Sequence, residues 1–186
     1  MFTLNANAQG RFNEMEYGKT QTVFHLNASS TPKLRLYKSG QGGKPVKTVK
    51  MRAIGNDRWE ATVKGNLAGM FYTFDIGKGE CPGTFAKAVG VNGNRGAILN
   101  MADTNPEGWA DDRRPALASP ADQVIYELHV RDFSISPTSG MQHQGKYLAL
   151  AEPRAIAYLK SLGINAIHFQ PLFDYASVDE TQLHRP

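Results

Sequence analysis

The sequence predicts a β-rich N-terminal domain followed by part of an α/β domain. Three observations predict it. Apolar residues alternate at period two from about residue 14 to about residue 90. Four prolines (Pro82, Pro106, Pro115, Pro120) and many small polar residues then break the pattern through 78–121. Beyond 121 the period changes again, to strand, helix, strand.

Each short strand of the first region can be read from its alternation. Thr22, Phe24 and Leu26 share one face, as do Leu34 and Leu36, then Val49 and Met51. Trp59, Ala61 and Val63 line one side of RWEATV, and Met70, Tyr72, Phe74 and Ile76 one side of MFYTFDI. Between them lie residues 39–43, Gly55-Asn56-Asp57 and Lys64-Gly65-Asn66, which are rich in turn formers. Strands at this spacing predict an antiparallel β-sandwich over 14–90, preceded by an N-terminal arm, 1–13. Residues 91–121 read as an ordered connector. Phe85, Val89, Val91, Ile98, Leu99 and Trp109 give this stretch of chain something to bury.

In the last region, Val124, Tyr126, Leu128 and Val130 fall on one face of a strand. Pro153 suits the first turn of a helix, with Glu152 beside the positive end of its dipole and Lys160 near the negative end. Ala155, Ile156, Leu159 and Leu162 recur at helical spacing, and Gly163 fits the C-terminal cap. Residues 164–169 form a second strand. A helical crossover between two strands predicts parallel pairing. The turn after the first strand, Arg131-Asp132-Phe133-Ser134, lacks the glycine pattern of a dinucleotide site. Glu127, His129 and Arg131 fall on the strand's other face. Three ionisable groups at period two suit either a barrel interior or a surface strand with one wet face.

Composition removes several classes of function. The chain has 186 residues with 41% hydrophobic and 20% charged content, as in a globular protein. No apolar run approaches the roughly 18–20 residues that span a bilayer, so no membrane partner is expected. The first residues carry no basic patch followed by an apolar run, which leads to the expectation of a cytoplasmic protein, or of a secreted one if an upstream segment is missing. The lone Cys81 cannot form an internal disulfide and reads as a packing residue. The five histidines (25, 129, 143, 168, 184) have no ligand spacing, so neither a metal nor another cofactor is expected. Residues 1–121 hold 16 Lys and Arg against 10 Asp and Glu, but the cations alternate with apolar residues, as in Lys33-Leu34-Arg35-Leu36. That is the wet face of a sheet, and no nucleic-acid partner is expected.

Several longer runs carry a family resemblance. VIYELHVRDFS, Val124 to Ser134, resembles the first barrel strand of type I pullulanases, members of the alpha-amylase superfamily (glycoside hydrolase family 13). LGINAIHFQPLFDYASVDE, Leu162 to Glu180, is similar to their helix end, second strand and following loop. AKAVGVNGNRGAILN and TNPEGW resemble the connector before the barrel, and LYKSG and RWEATVKGNLAGMFYTF the carbohydrate-binding-module-like sandwich ahead of it. Cys81-Pro82-Gly83-Thr84-Phe85 departs from an Asp-Pro-Tyr pattern common in that family. The resemblance implies an Ig-like sandwich followed, over 122–186, by the first βαβ unit of a truncated (β/α)8 barrel.

The resemblance also implies retaining hydrolysis of α-1,6-glucosidic links in pullulan, glycogen or starch, by a nucleophile and an acid/base that both lie beyond Pro186. The local carboxylates Glu127, Asp132, Asp174, Asp179 and Glu180 match no catalytic position of the family, so no catalytic residue is expected here. Glu127, His129 and Arg131 are then expected in the barrel interior. His143 falls in the loop after the first strand and reads as a solvated histidine. For α-glucan binding the aromatic candidates are Tyr37, on the polar face and expected to be the best exposed, Trp59, which shares a strand face with Ala61 and Val63, and Trp109, after a Pro-Glu-Gly turn. A non-catalytic α-glucan-binding module and an inactive truncation product are the competing readings. With only two barrel strands, residues 122–186 are expected to leave apolar surface and strand edges exposed and to be the more labile part.

Overall fold

The computed structural model describes residues 12–173 and 178–182. The chain is mostly β-sheet with few helices and divides into two compact units. The first is Met1–Trp109 with Ala176–Pro186, and the second is Ala110–Tyr175.

The first unit is built from two antiparallel sheets around one core. Strands β1 (Met15–Glu16), β2 (Gln21–Asn27), β5 (Arg52–Gly55) and β6 (Arg58–Lys64) form one sheet in the order β1-β2-β6-β5. Strands β3 (Lys33–Tyr37), β4 (Lys47–Lys50), β7 (Phe71–Asp75) and β8 (Glu80–Cys81) form the other in the order β4-β3-β7-β8, and β9 (Gly96–Ala97) also pairs with β7. The run 47–55 supplies a strand to each sheet. The chain changes sheets at Met51, whose N–H donates to the Pro32 carbonyl at 3.3 Å and whose side chain is buried. Between β5 and β6, Asn56 and Asp57 have φ values of 48° and 56°, the pair of left-handed residues a tight hairpin requires.

The alternating faces read from the sequence meet in the core. Phe24, Ala61 and Val63 of one sheet pack with Leu34, Leu36, Tyr72 and Phe74 of the other. The Phe24 and Tyr72 rings meet edge-on at 5.2 Å, and Tyr72 and Phe74 at 5.5 Å. Ile76 lies past the end of β7 and is exposed. The sheet also continues past the boundary expected at residue 90. β9 pairs with Phe71 and Tyr72, and Ile98 is fully buried in the same core. The expected connector, 91–121, therefore includes sheet residues near its start, at Gly96 and Ala97, and Ile98 next to them is taken into the core. Gly96 is required there, since a Cβ would sit 2.4 Å from the Tyr72 ring. Cys81 packs against this core as a free thiol.

Among the described residues, one carboxylate of the first unit, Glu14, is buried. Glu14 accepts the Tyr72 hydroxyl at 3.0 Å and the Phe85 N–H at 2.9 Å. Burial pushes its carboxyl above the usual range, against the lowering effect of the Phe85 N–H and the Tyr72 hydroxyl. Gly83, at φ 94°, leaves room for it: a Cβ there would lie 2.0 Å from the Glu14 carboxylate.

The second unit centres on β10 (Ile125–Leu128) and β11 (Ala166–Phe169), paired in parallel with Ile125 opposite Ala166 and Leu128 opposite Phe169. Asn165 sets this register. Its side chain accepts from Val124 N–H and donates to the Asp122 carbonyl, both at 2.8 Å. The crossover includes α1 (Val130–Ser134) and α2 (Pro153–Ser161). Pro153 opens α2, and Gly163 follows it at φ 73°. Glu152 does not cap α2. Its carboxylate turns to the loop and accepts the N–H groups of Gln142 at 3.0 Å and His143 at 2.8 Å. Ala155 and Leu159 are buried, while Ile156 and Leu162 are exposed.

The first strand is shorter than its alternation suggested. Val130 is buried, but in α1 rather than on a strand. His129 ends the extended segment because its Nδ1 accepts the Asp132 N–H at 3.3 Å and so caps the helical turn. Among the described residues no helix is long and apolar enough to cross a membrane.

Candidate functional site

In parallel α/β arrangements, ligand sites form where strands end at their C-terminal edge. At that edge of β10 and β11 the second unit has a cleft of about 310 Å³, whose lining includes His129, Arg131, Lys146, Tyr147, Leu172 and Phe173. Each side chain is brought there by local chemistry. His129 is held by its cap to Asp132. Gly145 N–H donates to Ser134 Oγ at 2.9 Å, and Lys146 N–H to the His143 carbonyl at 3.0 Å, which fixes the stretch leading to Tyr147. The Tyr147 hydroxyl donates to the Leu172 carbonyl at 3.3 Å.

The rings of the cleft are open to solvent: Tyr147 is 64% and Phe173 79% exposed. Arg131 and Lys146 add positive charge and donors. In the loop before Lys146, His143 Nδ1 lies 3.0 Å from Glu152 Oε1, so this loop histidine is paired rather than simply solvated. The backbone N–H groups of Gln142 and His143, followed by the His143 side chain, hold the Glu152 carboxyl below its usual range. Exposed rings next to donors suit a ligand with flat apolar faces and hydroxylated edges.

The sequence candidates are placed differently from expectation. Glu127, His129 and Arg131 do not share one strand face. Glu127 lies in β10, exposed, where its Oε1 accepts from Gln170 Nε2 at 3.2 Å and His168 Nδ1 is 3.7 Å from Oε2. His129 is a helix cap, and Arg131 is in α1, 3.7 Å from Asp132. The period-two reading failed because the chain turns helical at Val130. Asp174 lies outside the described residues.

Tyr37 is not an exposed platform: it is 3% exposed. Arg95 lies over its ring at 3.5 Å, and its hydroxyl donates to Glu80. The alternation put Tyr37 on the polar face correctly, but that face is covered by a polar network. Glu80 also accepts from Thr73 Oγ1 at 2.6 Å and from Arg35 Nη1 at 2.7 Å, and Arg35 Nη2 binds Asp75 at 2.6 Å. Partial burial works to raise the Glu80 carboxyl, but the Thr73 and Tyr37 hydroxyls and the Arg35 charge bring it below its usual range. Trp59 packs against the core of the first unit, and its indole N–H donates to the Ala28 carbonyl at 2.8 Å. Trp109 is 58% exposed.

Sequence reasoning missed Lys146, Tyr147, Leu172 and Phe173. The available signal was the chain direction itself: Pro171-Leu172-Phe173 follows directly on the second parallel strand. Among the described residues no group of three or more His, Cys, Asp or Glu could hold a metal ion.

No family model matches the chain. It is 35% identical to a pullulanase of Bacillus subtilis (strain 168) over 177 residues, 88% of this chain and 24% of the relative. Pullulanase 1, chloroplastic, of Arabidopsis thaliana is 34% identical over 106 residues, 52% of this chain and 11% of the relative. Among solved structures, the apo pullulanase from Paenibacillus barengoltzii matches with a TM-score of 0.88 and 39% identity, over 96% of this chain and 30% of that one. The same protein complexed with maltohexaose and alpha-cyclodextrin matches with a TM-score of 0.87 and 40% identity, over 96% of this chain and 30% of that one. The chain thus spans about a quarter of the length of the curated Bacillus relative.

Proposed function

From its homology to the N-terminal region of type I pullulanases, we propose that this chain forms the N-terminal portion of a debranching glycoside hydrolase acting on the α-1,6 links of α-glucans. The first unit is then an Ig-like, carbohydrate-binding-module-like sandwich. The second is the opening βαβ unit of a (β/α)8 barrel, a reading supported by its parallel register and helical crossover. The match to pullulanase structures over nearly the whole chain is the observation that carries this reading.

In such a hydrolase the reaction is retaining. One carboxylate attacks the anomeric carbon, and a second carboxyl, about 5 Å away, protonates the leaving oxygen and then activates water. We assign neither role to this chain. Its described carboxylates near the cleft are engaged otherwise: Glu127 with Gln170 and His168, and Asp132 with His129 and Arg131. The chain's own contribution is binding. Tyr147 and Phe173 offer ring faces to glucosyl units, and Arg131, Lys146 and His129 offer donors to their hydroxyls.

Affinity electrophoresis of the full chain in pullulan and glycogen, alongside a reducing-end assay, tests this. Retardation without release of reducing ends is expected, with the retardation reduced in Phe173→Ala. Migration unaffected by either polysaccharide would remove the binding role, and release of reducing ends would overturn the assignment of the catalytic groups elsewhere.

A further inference from the structure

In the second unit a circuit of hydrogen bonds begins and ends at one residue, Glu152. It stands just ahead of Pro153, where α2 begins, yet its carboxylate serves the preceding loop instead of the helix. Oε2 accepts the Gln142 N–H at 3.0 Å. Oε1 accepts the His143 N–H at 2.8 Å and lies 3.0 Å from His143 Nδ1. The backbone then returns to its starting point in three steps. The His143 carbonyl accepts the Lys146 N–H at 3.0 Å, the Lys146 carbonyl accepts the Ala149 N–H at 3.1 Å, and the Ala149 carbonyl accepts the Glu152 N–H at 3.3 Å. Lys146 and Tyr147, both in the lining of the cleft, lie on the stretch of chain that this circuit encloses.

Packing does little for the loop side of the circuit. Gln142, His143, Lys146 and Tyr147 are all exposed. Gly140 and Gly145, at φ 67° and 70°, bound the loop with residues that restrict the backbone least. Firm anchors lie further along: Ala149 is fully buried, and the Gly145 N–H donates to Oγ of the buried Ser134 at 2.9 Å. The Glu152 carboxylate supplies what packing does not. Its side chain is 15% exposed, and a carboxylate can accept several donors at once, each bond strengthened by its charge. The N–H groups of Gln142 and then of His143 hold it below its usual range, so it stays ionised at neutral pH.

We propose that Glu152 is a positioning residue for the α-glucan cleft: by gathering the Gln142 and His143 N–H groups it closes the circuit that presents Lys146 and Tyr147. The inference rests on the reading of that cleft as a glucan site. Preorganisation raises affinity by removing ordering cost from the binding step, with no contact to the ligand. Loss of the carboxylate therefore weakens glucan binding while the parallel pair β10 and β11 stays formed.

The test uses the full chain with maltotriose as the probe, measured by calorimetry, with amide hydrogen exchange in parallel. Glu152→Ala removes the acceptor without adding the backbone freedom of a glycine. It is expected to lose exchange protection at Gln142 and His143 and to bind maltotriose at least about fivefold more weakly. Protection at Ala166 and Gln170, whose N–H groups bond the Val124 and Leu128 carbonyls of the neighbouring strand, is expected to stay. Glu152→Gln keeps one acceptor oxygen and is expected to restore part of the affinity. Wild-type affinity in Glu152→Ala overturns the inference. So does a loss of affinity in which Ala166 and Gln170 lose protection too, because the carboxylate would then hold the whole unit and not the loop. Failure of the unaltered chain to bind maltotriose has a different meaning: it removes the glucan reading of the cleft, and the inference falls with it.

Discussion

The two units treat apolar surface in opposite ways. Among the described residues, the first encloses a cluster of eleven buried apolar residues, with Phe24, Leu34, Phe74 and Ile98 at zero exposure. The second has a cluster of three, Met141, Ala149 and Ala155, with Phe133 leaning on it. Leu128, Val130 and Leu159 are buried as well, but several of its large apolar side chains are open: Ile125 is 57%, Leu148 60%, Leu162 48% and Ile156 42% exposed. Backbone pairing differs too. β2, β3, β6 and β7 each have partners on both sides, whereas β10 and β11 have only each other among the described residues. Two parallel strands and a nine-residue helix offer too few facing surfaces to close a core. The first unit is held by its own packing. The second presents surface of the kind that neighbouring strands and helices cover, in keeping with its proposed place at the start of a barrel.

The sharpest way to break this comparison is to remove the same kind of side chain from each unit. Phe24→Ala empties the centre of the shared core and is expected to cost about 3–5 kcal/mol, measured by urea unfolding. Ile156→Ala, on the open side of α2, is expected to cost about 0.5 kcal/mol or less in the same assay. Comparable losses would mean that the second unit is packed as tightly as the first. A smaller effect is expected from Gly96→Ala, whose Cβ would meet the Tyr72 ring at 2.4 Å. Overpacking of that kind costs about 1–3 kcal/mol, and a double variant with a smaller residue at position 72 should not add the two losses.

The same comparison explains what could be read from the sequence. Strand faces in the first unit were legible because each side chain's fate follows from period two: Phe24, Leu34, Ala61, Val63, Tyr72 and Phe74 are all buried as their alternation required. Three things were not legible there. The division of residues 47–55 between two sheets depends on a corner at Met51 that has no pattern of its own. The capture of Ile98 by the core depends on β9, which is two residues long. The burial of Tyr37 depends on Arg95, 58 residues away in the chain. In the second unit, the crossover helix and parallel pair were legible from Pro153, Gly163 and the apolar spacing. The cleft was not. His129 looked like one more strand residue until its ring took the Asp132 N–H, a local bond that competes with the strand pattern.

Next in size is the indole bond at the margin of the first core. Trp59→Phe keeps the ring against Leu26 and its neighbours but leaves the Ala28 carbonyl without its donor, at an expected cost of about 1 kcal/mol in urea unfolding. A loss of about 3 kcal/mol or more would instead place Trp59 among the core-defining side chains.

The subtlest effects are those of pH, and here two carboxylates of the same unit act with opposite sign. Glu80 lies below its usual value of 4.5, so its contribution is present above that pH and is lost as pH falls through the lowered folded value. Glu14 lies above 4.5, so the folded unit holds its proton where the unfolded chain has released it, and stability falls as pH rises from 4.5 through the raised folded value. Glu80→Gln should therefore flatten the acid limb of the stability profile, and Glu14→Gln should flatten the decline above pH 4.5. The two changes should be independent, because Glu80 belongs to the polar network outside β7 and Glu14 bonds Tyr72 inside the core. If Glu14→Gln altered the acid limb instead, the buried carboxylate would have to be ionised throughout, and the donors Tyr72 and Phe85 would outweigh the burial that isolates it.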